Sequence, residues 1–434
     1  MDSAVINSGS MSPRTRERHA RLYADSSRPL RELVRIEDPA FYVDPWPVYM
    51  RLQEEAPVYF HEPFNTWILT RHEDVQLASR AHETFSVRHG KLLYDGLKKD
   101  SGIGSLFAGD GDIIGVTDPP RHNELRRIMM APFTPRAIAR TASRIETFCD
   151  TLLDRIVPGE PVDWVEAVAG PLPVMVIAAI LGVPEDDAEF HRRVREWGAA
   201  AEDLASRDLS PAEVEGRKSA FTGLTEFIAG LFDEKRAHPG DDFLSSLLAD
   251  HLDDERLSQA NLVGFAQLLI AAGADTSRAM IAELVAHLAA QQDQRALLVA
   301  DPGLAPGAVE EVLRYAPPPR GFARQLVQDT DLRGQRLRAG ERVWMAFEAA
   351  NRDAEVFPDP HRFDIRRTEA RRNVAFGFGT HVCIAAPLVR METRILLQKL
   401  ITRYPRFEMA GPGQRVESFL RNGWNRLPIV FHAA

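Results

Sequence analysis

One cysteine stands at a position where a thiol can become a metal ligand. Cys383 follows Gly377 and Gly379 in the run Phe-Gly-Phe-Gly-Thr-His-Val-Cys, and a helical pattern begins directly after it, at Ile384. Two glycines two residues apart permit a tight turn, which brings the cysteine to the start of this helix. Backbone N–H groups and the helix dipole there lower the pKa of a thiol and favour thiolate, the form that binds metals. The alternative for a single cysteine is a buried, inert side chain, and Cys149 is given that interpretation.

A polar pair follows the most apolar helical segment of the chain. Residues 258 to about 291 predict one long helix, and its middle, 262–274, is apolar on almost every face and therefore buried. Asp275 and Thr276 come directly after this stretch. The Thr276 hydroxyl can bond to the carbonyl one turn earlier and, together with Gly273, can open the helix locally. The structural alternative is a core threonine beside a buried, paired aspartate.

Two further pairs of polar residues have helical spacing. Glu311 and Arg314 are three residues apart, so their charged groups share one helix face, although such a pair alone is common on helix surfaces. His122 and Arg126 are four residues apart, and two cationic donors one turn apart suit the two oxygens of a carboxylate. Taken singly, each histidine or arginine is more simply a solvated surface group.

The rest of the chain predicts the elements that must hold these side chains, and most of them are helical. Helical patterns cover residues 118–300 and return from 384 to about 404. The other patterns are a hairpin formed by 57–60 and 67–70, strand-like alternation at 325–347, a Gly- and Asp-rich stretch at 86–117 typical of a binding loop, and a Pro-rich meander at 351–372. The sequence therefore predicts a mainly α fold with small β-sheets. Residues 1–28 are interpreted as a flexible polar tail and residues 29–434 as a single domain.

Composition excludes several classes of protein. The 434 residues carry a net charge of -9, which argues against a nucleic-acid-binding protein. Two cysteines are too few for a disulfide framework, so a reducing compartment is expected. The N-terminus has no apolar stretch like that of a signal peptide, and the longest apolar run, 167–183, is too short to span a bilayer. We therefore expect a soluble, cytoplasmic protein without a membrane partner.

The cysteine segment resembles the haem-binding loop of the cytochrome P450 superfamily, in its bacterial soluble form. Phe376, Gly379 and Cys383 fall on the family's positions, and the resemblance makes Cys383 the axial ligand of the iron. Ala385 stands where the family usually has glycine. Its methyl group is expected to press on the porphyrin without preventing haem binding, since one added methyl group costs about 1 to 3 kcal/mol.

Other segments match the same family at the expected distances. Glu311 and Arg314 match its K helix, and the stretches 351–353 and 356–364 follow in the family's order. The resemblance implies a buried ion network of Glu311, Arg314 and Arg362 that supports the cysteine loop. It implies a single catalytic domain at 29–434 shaped as a triangular helical prism, with haem between the long I helix and the L helix.

The resemblance also implies roles at the cofactor and above it. His122, Arg126, Arg324 and His381 match residues that bind the haem propionates, and Ala272 lies beside the haem. Asp275 and Thr276 match the acid and alcohol that relay protons to dioxygen. The residues expected to line the substrate pocket are Phe265, Leu268, Leu269, Ala272, Phe322 and Trp424. Arg320 is interpreted as a surface group, with contact to an acidic group of the substrate as the alternative.

The implied function is that of a haem-thiolate monooxygenase that contains haem b (iron protoporphyrin IX). It would activate O2 with two electrons and hydroxylate or epoxidise a hydrophobic small molecule, such as a secondary metabolite, terpenoid, lipid or xenobiotic. The chain has no flavin or iron–sulfur signature, so the electrons are expected from a ferredoxin or flavodoxin-type donor with an NAD(P)H-dependent reductase. Arg126, Arg127, Arg371 and Arg372 are candidates for docking an acidic donor, with solvated side chains as the alternative. The protein is expected to be a monomer.

Three alternatives remain open from the sequence. The same scaffold can couple substrates or form rings oxidatively without inserting oxygen. A non-catalytic haem protein that binds or senses a gas is a second alternative, and the Asp275 and Thr276 pair argues against it. A haem-free helical scaffold or hydrolase is the third, and the chain has no Gly-x-Ser-x-Gly nucleophile motif.

Overall fold

The structure, a computed structural model, describes residues 10–93, 112–206, 209–251 and 258–433. The predicted loop at 86–117 therefore lies partly outside the described residues. Numbered in chain order, the α-helices are α1 (Pro13–Tyr23), α2 (Leu30–Leu33), α3 (Trp46–Glu55), α4 (His72–Arg80), α5 (Arg121–Met129), α6 (Pro135–Leu153), α7 (Pro171–Leu181), α8 (Ala188–Ser206), α9 (Pro211–Ala237), α10 (Phe243–His251), α11 (Gln259–Ala290), α12 (Gln292–Ala300), α13 (Ala305–Tyr315), α14 (Phe347–Ala350) and α15 (Ala386–Arg403).

In the part of the chain that the structure describes, the strands are short and form four small sheets. They are β1 (Val58–His61), β2 (Thr66–Leu69), β3 (Phe85–Ser86), β4 (Pro161–Asp163), β5 (Gly321–Leu326), β6 (Thr330–Leu332), β7 (Gln335–Leu337), β8 (Arg342–Ala346), β9 (Arg406–Met409), β10 (Gln414–Arg415), β11 (Trp424–Arg426) and β12 (Pro428–His432). The largest sheet has the order β1-β2-β8-β5-β3, and β2 and β8 are parallel. The predicted hairpin is β1 and β2, and the predicted mainly α fold with small sheets is confirmed.

The predicted long buried helix is α11. Ser258 caps it: its hydroxyl accepts from the Asn261 N–H, and the Asn261 side chain accepts from the Ser258 N–H, which satisfies donors that a helix start leaves unpaired. The helix packs against α7, α8, α9 and α13 at the centre of the main hydrophobic core. Within the described ranges, no helix has the length and apolar character needed to cross a membrane.

The interpretation of residues 1–28 as a flexible tail is wrong for the part that forms α1. The Ser12 hydroxyl caps this helix by accepting from the Thr15 N–H. Arg18 pairs with Asp38 at 2.7 Å, and other contacts hold the helix against residues 39–43. The polar composition was misleading because this helix docks through hydrogen bonds, an ion pair and the Tyr23 ring at its end, without an apolar stripe along its length that a sequence pattern would show. Residues 1–9 lie outside the described residues.

Candidate active site

The loop that carries Cys383 depends on its two glycines. Gly377 and Gly379 have φ values of 74° and 69°, in the left-handed region that favours glycine. The Cys383 N–H donates to the Phe376 carbonyl oxygen at 2.8 Å and closes the turn. A Cβ on Gly379 would lie 3.0 Å from the Ser79 carbonyl oxygen, so glycine also permits the close approach to α4. The predicted glycine turn before a helix is confirmed.

The expected lowering of the Cys383 pKa is not found. Burial raises the pKa of the Cys383 thiol above its ordinary value. The backbone N–H groups of Ala385 and Ala386 and the charge of Arg126 act in the opposite direction, as a helix start and a cation should. Burial outweighs them because the sulfur lies in the interior, where a thiolate loses its hydration.

Ala385 adopts a backbone conformation that does not require glycine. Its φ and ψ are -85° and -1°, in the right-handed region open to every residue. The side chain is partly buried and packs against the main core. Any cost of the alanine at this position is therefore steric, arising where its methyl group meets a neighbouring group.

Basic side chains converge next to this loop. The rings of His122 and His381 lie 4.3 Å apart, and the buried Nε2 of His381 has no hydrogen-bond partner among the described residues. The pKa of His381 is lowered to about 2, mainly by burial and then by the charges of Arg324, His122, Lys91 and Arg126, in that order. The four side chains predicted to bind carboxylates are therefore brought together. Such a set of donors suits a buried dicarboxylate.

Sequence reasoning missed Lys91, which joins this basic cluster. Its carbonyl oxygen accepts from the Ala323 N–H of β5 at 2.6 Å. Arg342 donates to the carbonyl oxygens of His89, Gly90 and Leu92 at 2.9 to 3.2 Å, and so fixes the segment that carries the lysine. No motif marked Lys91, because only the folded path of this irregular segment brings it beside His381.

A cavity of about 180 Å³ lies beside α11 and is lined mainly by apolar side chains. Leu268, Ala272 and Phe322 line it as predicted, together with Asp275 and Thr276; other lining residues include Lys91, Ile113, Val116, Gly198, Glu202, Ala271, Pro318, Pro319, Leu420 and Arg421. Lys91, which lines the cavity, also lowers the pKa of Cys383, so its ammonium group lies within electrostatic range of the thiol.

Three of the predicted pocket residues are not among those lining this cavity. Phe265 lies one turn before the cavity-facing part of α11 and is buried in the main core. Leu269 packs against the same core, since it is rotated by about 100° from its neighbour Leu268. Trp424 is fully buried, with the Arg415 guanidinium 4.7 Å from its ring. Apolar residue type did not distinguish the cavity face from the core face.

The acid and alcohol on α11 have different surroundings. The Thr276 hydroxyl donates to the Ala272 carbonyl oxygen at 2.7 Å, as predicted, although α11 continues without the expected local opening. Asp275 forms ion pairs with Arg278 at 2.9 Å and Arg421 at 3.1 Å. Its carboxylate also lines a second, more polar cavity of about 450 Å³. Asp275 therefore lies in the wall between the two cavities.

The buried ion network contains a different third arginine from the predicted one. Arg314 donates twice to the Glu311 carboxylate at 2.7 Å, and both side chains are fully buried. Arg367 provides the other cation, with its Nε 3.3 Å from Glu311. The Arg362 side chain is 58% exposed and lies 3.9 Å from Asp364. Arg362 takes part only through its carbonyl oxygen, which accepts from Arg314 and Arg367, because its side chain points to solvent.

The other arginines of interest divide between core and surface. The interpretation of Arg320 as a surface group is wrong: it is buried and pairs with Glu348 at 2.6 Å. Arg127, Arg371 and Arg372 have exposed side chains, on α5 and in the turn before the cysteine loop. These three groups are accessible to a partner.

Comparison with known proteins agrees with this architecture. The profile of the cytochrome P450 family matches residues 303–424. Cytochrome P450 107B1 of Saccharopolyspora erythraea is 35% identical, covering 90% of this chain and 96% of its own length. 6-Deoxyerythronolide B hydroxylase of the same organism is 33% identical, covering 91% and 98%. The crystal structure of CYP109E1 from Bacillus megaterium with testosterone superposes with a TM-score of 0.80 at 31% identity, covering 89% of this chain and 97% of that one.

These similarities define a haem-thiolate oxygenase fold. The chain belongs to the cytochrome P450 family, and its enzyme class is that of the P450 monooxygenases, oxidoreductases that incorporate oxygen from O2. The residues present fit a haem group: a partly buried cysteine in a glycine turn, and a basic cluster whose His381 Nε2, without a partner among the described residues, suits a propionate oxygen. The family also implies a hydrophobic substrate and a redox partner.

Proposed function

We propose that this P450 monooxygenase uses haem b, held by the Cys383 thiolate, to hydroxylate or epoxidise a hydrophobic secondary metabolite or similar small molecule. The observation that carries the proposal is the position of Lys91, which lines the apolar cavity and acts electrostatically on both His381 and Cys383. In this proposal, the thiol that binds the iron, the side chains that bind the propionates and the cavity all face the same space. Haem bound there supplies the redox chemistry that activates O2.

The protein's own residues hold the cofactor and manage charge. Arg126, Arg324 and Lys91 would offset the charge of the two propionates, and His122 and His381 would donate hydrogen bonds to them, in a region where burial makes isolated charges costly. The Cys383 thiolate would hold the iron and supply electron density to it. Bonding to iron would compensate the thiolate for the hydration that burial removes and would so offset the raised pKa of the free thiol.

Asp275 and Thr276 form the proton route. The Thr276 hydroxyl lines the apolar cavity and is oriented by its bond to the Ala272 carbonyl oxygen. Asp275 borders both cavities, so its carboxylate can take a proton from the polar side and pass it toward the hydroxyl. The ion pairs with Arg278 and Arg421 hold the Asp275 carboxylate in place between the two cavities.

The cavity lining favours an apolar substrate. Leu268, Ala271, Pro318, Pro319 and Phe322 are among the apolar residues of its described wall. A relative acts on 6-deoxyerythronolide B and a structural neighbour binds testosterone, both large and largely apolar molecules. We propose a substrate of that general kind, oriented by few polar contacts.

Electrons come from a separate donor of the ferredoxin or flavodoxin type, reduced by an NAD(P)H-dependent reductase. The exposed Arg127, Arg371 and Arg372 form its docking surface, so electron transfer should slow steeply as salt rises. Arg372→Gln should reduce the salt dependence, while Arg236→Gln on α9 should not. Electron transfer independent of salt would contradict electrostatic docking.

The carbonyl spectrum of the ferrous protein tests the proposal most directly. A thiolate ligand gives the long-wavelength Soret band of the family, and the pyridine haemochrome identifies haem b. Cys383→Ser should abolish the band, whereas Cys149→Ala, at the other cysteine, should retain it. Turnover under labelled O2 then separates oxygen insertion from oxidative coupling. A wild-type protein without the thiolate-type band would refute the proposed ligation.

A further inference from the structure

Glu417 joins the N-terminal segment to the turn before β11. The Ser12 N–H donates to its Oε1 at 2.7 Å, and the Thr15 hydroxyl donates to its Oε2 at 2.8 Å. These partners lie 405 and 402 positions away in sequence. Because Ser12 is the N-cap of α1, the Glu417 carboxylate sits at the positive end of that helix, where negative charge is stabilised.

The residues after Glu417 form a tight turn that ends in the cavity wall. The Ser418 hydroxyl accepts from the N–H groups of Leu420 and Arg421 at 3.0 and 3.1 Å. The buried Arg320 holds the turn from the other side. Its side-chain Nε donates to the Ser418 carbonyl oxygen, and its backbone N–H donates to the Leu420 carbonyl oxygen at 2.7 Å. Leu420 and Arg421 then line the substrate cavity.

Packing connects α1 to the same turn. Tyr23 of α1 and Leu420 both pack against one hydrophobic cluster, which contains Phe41, Tyr42 and Phe419. The Tyr23 and Phe41 rings meet edge to face at 6.1 Å. Displacing α1 would therefore remove support from the layer on which the turn rests, in addition to the two hydrogen bonds of Glu417.

The turn also positions a charge at the proton route. Arg421 pairs with Asp275 at 3.1 Å and with Glu202 of α8 at 3.4 Å. A shift of the turn would change the cavity wall at Leu420 and the partner of Asp275 together. The contacts thus form a continuous path from α1 to α11.

We propose that α1 is a clamp that holds the cavity-lining turn 417–421, and that Glu417 is the positioning residue through which it acts. The N-terminal segment thereby determines how well the cavity retains a ligand that extends to Leu420, because a preordered wall loses less conformational freedom on binding. The inference rests on the proposed function in one respect, that this cavity receives the substrate.

The test compares Glu417→Ala and Thr15→Val with a control, Glu160→Ala, which removes an exposed carboxylate before β4. Hydrogen exchange of peptides covering 416–423 is measured on the holoprotein. Binding of 4-phenylimidazole and of imidazole is measured by their Soret shifts, because only the larger azole extends well beyond the iron. We expect Glu417→Ala to speed exchange and to weaken 4-phenylimidazole about three- to tenfold, since a charge-assisted pair of hydrogen bonds is lost. Imidazole binding and the control should stay near wild type.

The double variant identifies the path. If Thr15 acts through Glu417, adding Thr15→Val to Glu417→Ala causes little further loss. Unchanged exchange and azole affinity in Glu417→Ala would overturn the clamp, as would an equal loss for both azoles or fully additive effects. If the proposed function is wrong, the wild-type protein will lack the thiolate-type carbonyl band. Hydrogen exchange of peptides covering 416–423 still tests the clamp in that case.

Discussion

Replacing Arg367 by alanine should destabilise the protein far more than replacing Arg362, five residues earlier. Arg367 is 7% exposed and donates to Glu311 at 3.3 Å, to the carbonyl oxygens of Asp359 and Arg362 at 3.0 and 2.9 Å, and to that of Pro358. Arg362 is 58% exposed, and its nearest acidic partner is 3.9 Å away. The pair gives a matched comparison of the same residue type in one segment.

The size of the loss in unfolding free energy depends on which groups lose a hydrogen-bond or ion-pair partner. Removing one member of a buried charge network costs about 3 to 5 kcal/mol. Glu311 keeps both bonds from Arg314 and the Asp364 N–H at 2.8 Å, and the freed carbonyl oxygens near the surface regain water. We therefore expect a loss of about 2 to 3 kcal/mol for Arg367→Ala, and of about 0 to 1 kcal/mol for Arg362→Ala, as for exposed pairs.

Urea unfolding followed by circular dichroism measures these losses, and haem release adds a second readout. Arg314 donates to the Asn351 carbonyl oxygen at 3.0 Å, and the Asn351 side chain accepts from the Val374 N–H at 2.7 Å, so the network reaches the cysteine loop. Haem should therefore leave Arg367→Ala faster than it leaves Arg362→Ala. Equal losses, or a larger loss for Arg362→Ala, would refute the assignment of Arg367 as the third charge.

Three further predictions concern the cavity, the cofactor and pH. Thr276→Ala should retain haem but divert reducing equivalents to peroxide, measured as peroxide formed per NAD(P)H consumed; tight coupling would contradict the relay, and Thr276→Ser is the control. His381→Ala should speed haem transfer to apomyoglobin about tenfold or more, since a hydrogen bond to a charged propionate is lost; an unchanged rate would remove His381 from the propionate site. Burial raises the pKa of Glu392 from 4.5 to about 8, so folding favours its protonated form and stability should fall as pH rises between these values. Glu392→Gln should flatten that fall in urea unfolding, and an unchanged slope would exclude Glu392 as its source.

Local features of the site could be predicted because residue types and spacing within a short segment determine them. The turn at Gly377 and Gly379 has a left-handed backbone at both positions, and the glycines indicate this conformation in the sequence because few other residues adopt it. The bond from Thr276 to Ala272 follows from helix geometry alone. The pairing of Glu311 with Arg314 likewise requires only their spacing on α13.

Features set by the tertiary path could not be predicted in the same way. Arg362 and Arg367 lie in one irregular segment, where no periodicity shows which side chain turns inward. Lys91 acts on His381 because hydrogen bonds from Arg342 to three carbonyl oxygens fix the segment that carries the lysine. On α11, Phe265 and Leu268 are three residues apart and both apolar, yet only Leu268 is among the residues that line the cavity, because the core covers the preceding turn.

The basic cluster links cofactor binding to the stability of the fold. Burial lowers the pKa of Arg324 to about 10 and that of His381 to about 2, so both groups resist carrying charge in this environment. Among the described residues, the Arg324 side chain donates a hydrogen bond to the carbonyl oxygen of neighbouring Ala323, an uncharged acceptor that does not balance its charge. A dianionic group placed among these side chains lowers the cost of the buried charge and binds only the folded chain. In the binding mode that we propose, haem would therefore stabilise the fold through its propionates as well as through iron, and these basic residues would weaken the fold when haem is removed.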